Sequence, residues 1–310
     1  MRARILITLT LVMLACSGIG IALGSKGQTQ LIPAGQGLPD GEIVFIPEGT
    51  YDTLGFIYPD GSGYETRNIR LSGGLWDDLK KMSRPGITNW ITWSPDGDFL
   101  ATSFSRYQRS TGIPMLLSTS GEFLLCPDDE SSPYSSGRSW IVSDTTLITV
   151  DNRSNQETDR VLLLDMETCT VISTLYLSQP DEGISEATLS SQGSLAIARG
   201  VKDRGLEILI TDPERAKEIV LPGGQWPAWS RDGEWLAYTV YEDGLYVVRK
   251  DGSEKRKLVD SPSVGEASWS PDGVWLAYGR RTIFKINVET GEEFELYRGG
   301  NHPNWRWASP

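Results

Sequence analysis

Trp229-Ser-Arg-Asp-Gly-Glu-Trp-Leu-Ala-Tyr238 returns forty residues later as Trp269-Ser-Pro-Asp-Gly-Val-Trp-Leu-Ala-Tyr278, and an upstream copy reads Trp93-Ser-Pro-Asp-Gly-Asp-Phe-Leu-Ala101. A decamer that recurs at this period marks one supersecondary unit used several times. In Ser-Pro-Asp-Gly, Pro presets φ for a tight turn, Asp hydrogen-bonds the local backbone, and Gly accepts the left-handed conformation that follows. The flanking Trp, Leu, Ala and Tyr suit a pleated, buried surface, so each copy is predicted to be strand, turn, strand. Leu245-Tyr-Val-Val248, the turn Asp251-Gly-Ser253 and Lys257-Leu-Val259 then complete four short strands in one period. Four antiparallel strands per repeat make the blade of a β-propeller.

Weaker copies fill the space between the strong ones. Trp140-Ile-Val-Ser-Asp-Thr-Thr-Leu147 keeps the seven-residue distance from Trp to Leu, and Leu189-Ser-Ser-Gln-Gly193 keeps the Gly while Leu replaces Trp. His302-Pro-Asn-Trp305 repeats the Pro-x-Trp of Trp226-Pro-Ala-Trp229 and then stops, while the first repeat, from Ile43-Val-Phe45, lacks an opening strand. Anchors at 93, 140, 189, 229, 269 and 305 are spaced by 47, 49, 40, 40 and 36 residues. The expectation is therefore an all-β, six-bladed propeller over residues 41–310, closed by a C-terminal strand that completes the first blade.

Residues 1–24 read as an export segment, with Arg2 and Arg4 before an apolar run from Ile5 to Gly24. Three fates stay open: lipidation at Cys16 in Met13-Leu-Ala-Cys16, cleavage after Ala22-Leu-Gly24, or retention as a membrane anchor. Each places the remainder outside the cytoplasm, with the membrane touched only through this segment. Residues 25–40, rich in Gln, Gly, Ser and Pro, read as a flexible tether. The net charge of -12 and pI near 4.7 repel phosphate backbones and disfavour a nucleic-acid partner.

Trp-Ser-Pro-Asp-Gly, followed by an aliphatic-Ala-aromatic strand and an Asp-Gly-Ser turn, resembles the TolB-type, WD40-like β-propeller repeat over about residues 41–310. That resemblance implies a binding platform, a domain of a prolyl-oligopeptidase-like peptidase, or an extracytoplasmic protein of unassigned role. In this family the start of the innermost strand borders one mouth of the central channel. The residues three before each anchor are Trp90, Gly137, Glu186, Trp226, Glu266 and His302. Trp90, Glu186, Trp226, Glu266 and His302 are the candidate ligand-binding set, able to grip a peptide or sugar by stacking and hydrogen bonds. The anchor Trp residues themselves are expected to pack between blades.

His302 is the only histidine, and no hydrolase segment accompanies it, so no Ser-His-acid relay is expected. Gly183-Ile-Ser-Glu-Ala187 half-resembles a nucleophile elbow but lacks the second Gly, and reads as loop. Zinc spacings are absent and Asp128-Asp-Glu130 lacks the alternation of a calcium loop, so neither metal nor cofactor is expected. Cys126 and Cys169, on neighbouring repeats, are candidates for a disulfide in an oxidising compartment. The expectation is a monomeric, non-enzymatic binding protein for an envelope or extracellular protein or peptide. The alternatives are a propeller enzyme, either a lyase or a glycan-active hydrolase with Glu186 close to Glu266, and a regulatory propeller of a peptidase system.

Overall fold

A computed structural model of the chain describes residues 25–28, 43–50, 53–68, 86–87, 90–105, 112–119, 122–126, 140–143, 145–152, 158–212 and 217–307. The export segment with Cys16, and the acidic run 128–130, lie outside the described residues. All described regular structure is β-strand, paired antiparallel throughout.

The local cause of each hairpin is visible in the repeated turn. Ser94 Oγ donates to Asp96 Oδ1 at 2.5 Å, accepts from Phe99 N at 2.9 Å, and Gly97 N donates to Ser94 O at 2.9 Å. The network recurs at Ser230, Asp232, Gly233 and Trp235, and again at Ser270, Asp272, Gly273 and Trp275. The three glycines have φ between 71° and 79°, where a side chain would be strained. These turns fix register: Trp93 faces Leu100, Trp229 faces Leu236 and Trp269 faces Leu276. In the weaker copy the turn has no Gly, and Trp140 faces Ile148 rather than Leu147, with a register shift between Ile141 and Ser143.

The described strands form five sheets, so the count of hydrogen-bonded blades among them is five and not the expected six. Three are four-stranded blades in chain order. They comprise Trp140–Ser143, Thr146–Asp151, Arg160–Asp165 and Thr170–Leu177; then Glu182–Leu189, Leu195–Val201, Gly205–Thr211 and Glu218–Pro222; then Gly224–Trp229, Trp235–Val240, Gly244–Arg249 and Arg256–Asp260. One six-stranded sheet holds Gly86–Ile87, Thr92–Trp93, Phe99–Ser105, Gly112–Ser118 and Glu122–Leu125, with Ser25–Gln28 on its edge. The stretch expected to be an unstructured tether thus contains a strand, in register Ser25 with Leu125 to Gln28 with Glu122. The physical reason is the row of unpaired backbone groups that an outer strand presents to any extended segment.

The other six-stranded sheet explains the blade count. It runs Ala267–Trp269, Trp275–Asn287, Glu293–Trp305, Ile43–Pro47, Thr53–Ile57 and Glu65–Asn68. The two thirteen-residue strands continue past their own repeat, and the second pairs Ile43 with Trp305 and Val44 with Asn304. What the spacing separates as the last and first repeats is therefore one continuous ladder in which the two ends of the propeller meet.

Apolar residues from adjoining sheets share each core cluster. Trp229 packs with Ala196, Ala198 and Ile208 of the preceding blade, and Trp269 packs with Ala228, Ala237 and Leu245. The anchor indoles therefore join neighbouring blades. Cys126 and Cys169 are disulfide-bonded, with Cα atoms 5.5 Å apart, and tie the sheet ending at residue 126 to the blade at 140–177.

Candidate functional site

Three of the five candidate residues, Glu186, Trp226 and His302, sit at bulges in their strands. Register shifts fall between Ile184 and Glu186, between Gln225 and Ala228 around Trp226, and opposite Val44 to Ile46, where Asn301 to Asn304 brackets His302. Trp226 and His302 both adopt left-handed backbone, with φ of 51° and 54°. Each is followed by Pro, which rejects the right-handed helical conformation in the preceding residue. A bulge re-aims the side chain that it carries, and left-handed non-glycine residues gather where the surrounding structure holds them for a purpose.

The bulge at His302 brings its ring to Glu266. His302 Nδ1 and Glu266 Oε2 are 2.6 Å apart, although the residues lie 36 positions apart in sequence. Nδ1–H donates to the carboxylate, which puts the basic lone pair of the neutral ring on Nε2. The side chain of Glu266 is 8 % exposed and that of His302 26 %, so the acid is held inside and the imidazole reaches outward.

Close backbone approach positions Glu266. Gly279 N donates to Glu266 O at 3.3 Å, and Thr239 Oγ1 of the preceding blade donates to Gly265 O at 2.7 Å. A Cβ on Gly265 would meet Gly279 O at 2.7 Å, so this approach requires glycine. On the His302 side, Asn301 Oδ1 accepts from Arg281 N at 2.9 Å.

The remaining candidates are distributed differently. Glu186 is buried, and the bulge before it is held from the neighbouring blade: Ile184 N donates to Asp159 Oδ2 at 2.6 Å and Asn152 Nδ2 donates to Ile184 O at 3.0 Å. Burial pushes the Asp159 carboxyl above its ordinary range, against the opposing effect of the Ile184 N–H. Trp90 is buried in the cluster with Ala101, Leu116 and Cys126, and Trp226 is half-buried. Gly183–Ala187, read as loop, belongs to the innermost strand Glu182–Leu189, where Ser185 Oγ donates to Ala198 O at 3.1 Å. No group of three or more His, Cys, Asp or Glu able to hold a metal occurs among the described residues.

A cavity of about 440 Å³ opens at the other end of the innermost strands, where the anchors and their turns converge. Trp93, Trp229, Trp269, Trp305 and Trp307 line it, together with the residues before five of the six anchors: Thr92, Thr188, Ala228, Ser268 and Asn304. Asn304 Oδ1 accepts from Trp93 N and Ser268 Oγ from Trp305 N, each at 2.9 Å; the first bond links two sheets and the second ties strands within one. None of the five candidate residues lines this cavity. Its signal in the sequence is the small residue, polar in four of the five cases, that immediately precedes these anchors.

The same architecture occurs in solved structures. A TolB homologue from Agrobacterium tumefaciens superposes with a TM-score of 0.54 at 16 % identity, covering 84 % of this chain and 90 % of that one. The fold is that of a TolB-like β-propeller. An oligogalacturonate lyase from Vibrio parahaemolyticus matches with a TM-score of 0.50 at 16 % identity, covering 84 % of this chain and 74 % of that one. A manganese complex of an oligogalacturonate lyase gives 0.50 at 13 % identity with the same coverages. No family model and no curated sequence matches the chain.

These neighbours correct the expectation of a non-enzymatic chain, because proteins of this fold include lyases. That expectation rested on missing triads and zinc spacings, which are signatures of other folds. A propeller brings together side chains from separate repeats, as it does with Glu266 and His302, and such a pair has no local sequence pattern.

Proposed function

We propose that this TolB-like propeller is an extracytoplasmic enzyme that transfers a proton to or from a saccharide ligand at the channel mouth, with His302 and Glu266 as its acid–base pair. The observation that carries the reading is the 2.6 Å contact between the His302 ring and the buried Glu266 carboxylate. Glu266 orients the ring and stabilises its protonated form, and Nε2 is the nitrogen that would exchange the proton. Between the two enzyme classes, this pair favours a lyase. Elimination needs one base at the carbon losing its proton, whereas glycoside hydrolysis needs two carboxyl groups facing each other across the bond. The structural likeness to oligogalacturonate lyases makes acidic oligosaccharides the first substrates to try, and the export expected from residues 1–24 agrees with such substrates.

The test is a screen of acidic oligosaccharides for unsaturated products, run beside Glu266→Gln and His302→Asn. Turnover by the wild type and a loss of about 10²-fold or more in either variant is expected. Activity undiminished in both variants, or no turnover of any member of the series, overturns the reading.

A second reading, favoured by the half-buried Trp226 on its left-handed backbone, is capture of an envelope protein or peptide at the same mouth. Trp226→Ala is the suitable probe in a pull-down, because Trp90→Ala would empty a core position and cost about 3–5 kcal/mol. Retention of the same partner by Trp226→Ala sinks this reading.

A further inference from the structure

Two departures from the repeat meet at the 440 Å³ cavity. Leu189 stands where the strong copies carry Trp, and Arg231 stands in the turn where Pro95 and Pro271 occur. Both line the cavity, from adjacent blades. Replacing an indole by an isobutyl group leaves room for a ring, and the volume is that of a small-molecule site.

The polar groups around this space are incompletely matched. Trp269 Nε1 donates to Ala228 O at 3.0 Å and Trp307 Nε1 donates to Trp269 O at 2.9 Å. By contrast, the Nε1 groups of Trp93 and Trp229 are buried without an acceptor, in side chains only 5 % and 4 % exposed. Those two nitrogens present no surface to the cavity, so the charged group available to a ligand there is Arg231. Arg231 has no acid within ion-pair distance among the described residues, in a chain whose net charge is -12. Among the described residues, no Asp or Glu lines the cavity.

We infer that this cavity is a binding site for a small ring-bearing carboxylic acid. The ring occupies the space that Leu189 leaves, between the anchor indoles. The carboxylate pairs with Arg231. The ring can be aromatic or a pyranose, since indoles stack on both. The cavity lies about 10 Å along the innermost strands from the level of His302, three residues at strand rise. It is separate from the proposed proton-transfer pair.

The experiment is calorimetric titration of the full-length protein with benzoate and with glucuronate, each beside its uncharged counterpart, benzamide or glucose. The variants are Leu189→Trp and Arg231→Pro, which restore the repeat's own residues and so are compatible with the fold. At least one acid is expected to bind the wild type at millimolar concentration or below, and which one does identifies the ring. Arg231→Pro should weaken that acid by about ten-fold or more while leaving its uncharged counterpart unchanged. Leu189→Trp should abolish binding of both. Failure of both acids to bind, or affinities unaltered in Arg231→Pro, overturns the inference. Glu266→Gln should bind as the wild type does, so that failure of the acid–base reading and failure of this one are told apart.

Discussion

Single residues here carry specific strains and charges that predict their own tests. Asp159 holds the bulge before Glu186, and burial raises its carboxyl above the unfolded value, so the folded state binds this proton more tightly. The contribution of this group to stability is therefore fullest below the unfolded pKa and falls as pH rises through the folded one. Asp159→Asn, which keeps an oxygen for Ile184 N, should gain stability relative to wild type as pH rises from about 4 to 7, read as melting temperature against pH. A difference between the two proteins that does not change with pH would contradict this. Gly279 has φ 149°, and a Cβ there would lie 1.9 Å from Thr282 O. Gly279→Ala should cost about 3 kcal/mol in denaturant unfolding and displace Glu266, whose carbonyl Gly279 N binds.

At the level of the blade, the sheet at 182–222 contains a buried ionic cluster. Arg199 contacts Glu182 at 2.8 Å and Glu207 at 2.7 Å, with all three side chains no more than 6 % exposed, and Tyr176 OH of the neighbouring blade donates to Glu182 at 2.9 Å. Desolvation works against the charge on Arg199, but the two carboxylates outweigh it and hold the guanidinium more firmly protonated than usual. Arg199→Ala would leave two buried carboxylates facing each other and should cost about 3–5 kcal/mol. Replacing Arg199, Glu182 and Glu207 together by apolar residues of similar size should cost far less, since no buried charge then lacks its partner. Equal losses for the single and triple variants would show that the cluster contributes through packing and not charge.

Across the whole molecule, stability depends on closure and on the link between sheets. Glu293–Trp305 pairs with Ile43–Pro47, joining residues at opposite ends of the propeller. The Cys126–Cys169 disulfide closes a loop across a sequence separation of 43 and lowers the entropy of the unfolded chain. By the chain-entropy relation its removal in Cys126→Ser, Cys169→Ser should cost about 4 kcal/mol, seen as a lower midpoint in urea. An unchanged midpoint would mean that neighbouring strands alone fix this pair of sheets.

The decamers at 93, 229 and 269 determined the hairpins, their register and the propeller class, because turn chemistry and strand alternation act between residues a few positions apart. Pro, Asp and Gly were readable in those turns, whereas the bridging part played by Ser94, Ser230 and Ser270 emerged only with their Oγ contacts. Spacing separated the last repeat from the first, yet hydrogen bonding merged them into one sheet, since a ladder continues wherever two extended segments lie side by side. The same holds for the site. Glu266 and His302 occupied equivalent places in their repeats, as did Trp90, Glu186 and Trp226, but only tertiary structure decided which two touch. That contact, inside the sheet where the last and first repeats merge, depends on the bulge at His302 and on the close approach of Gly265 to Gly279, and both are set by how strands pair in three dimensions rather than by a local sequence pattern.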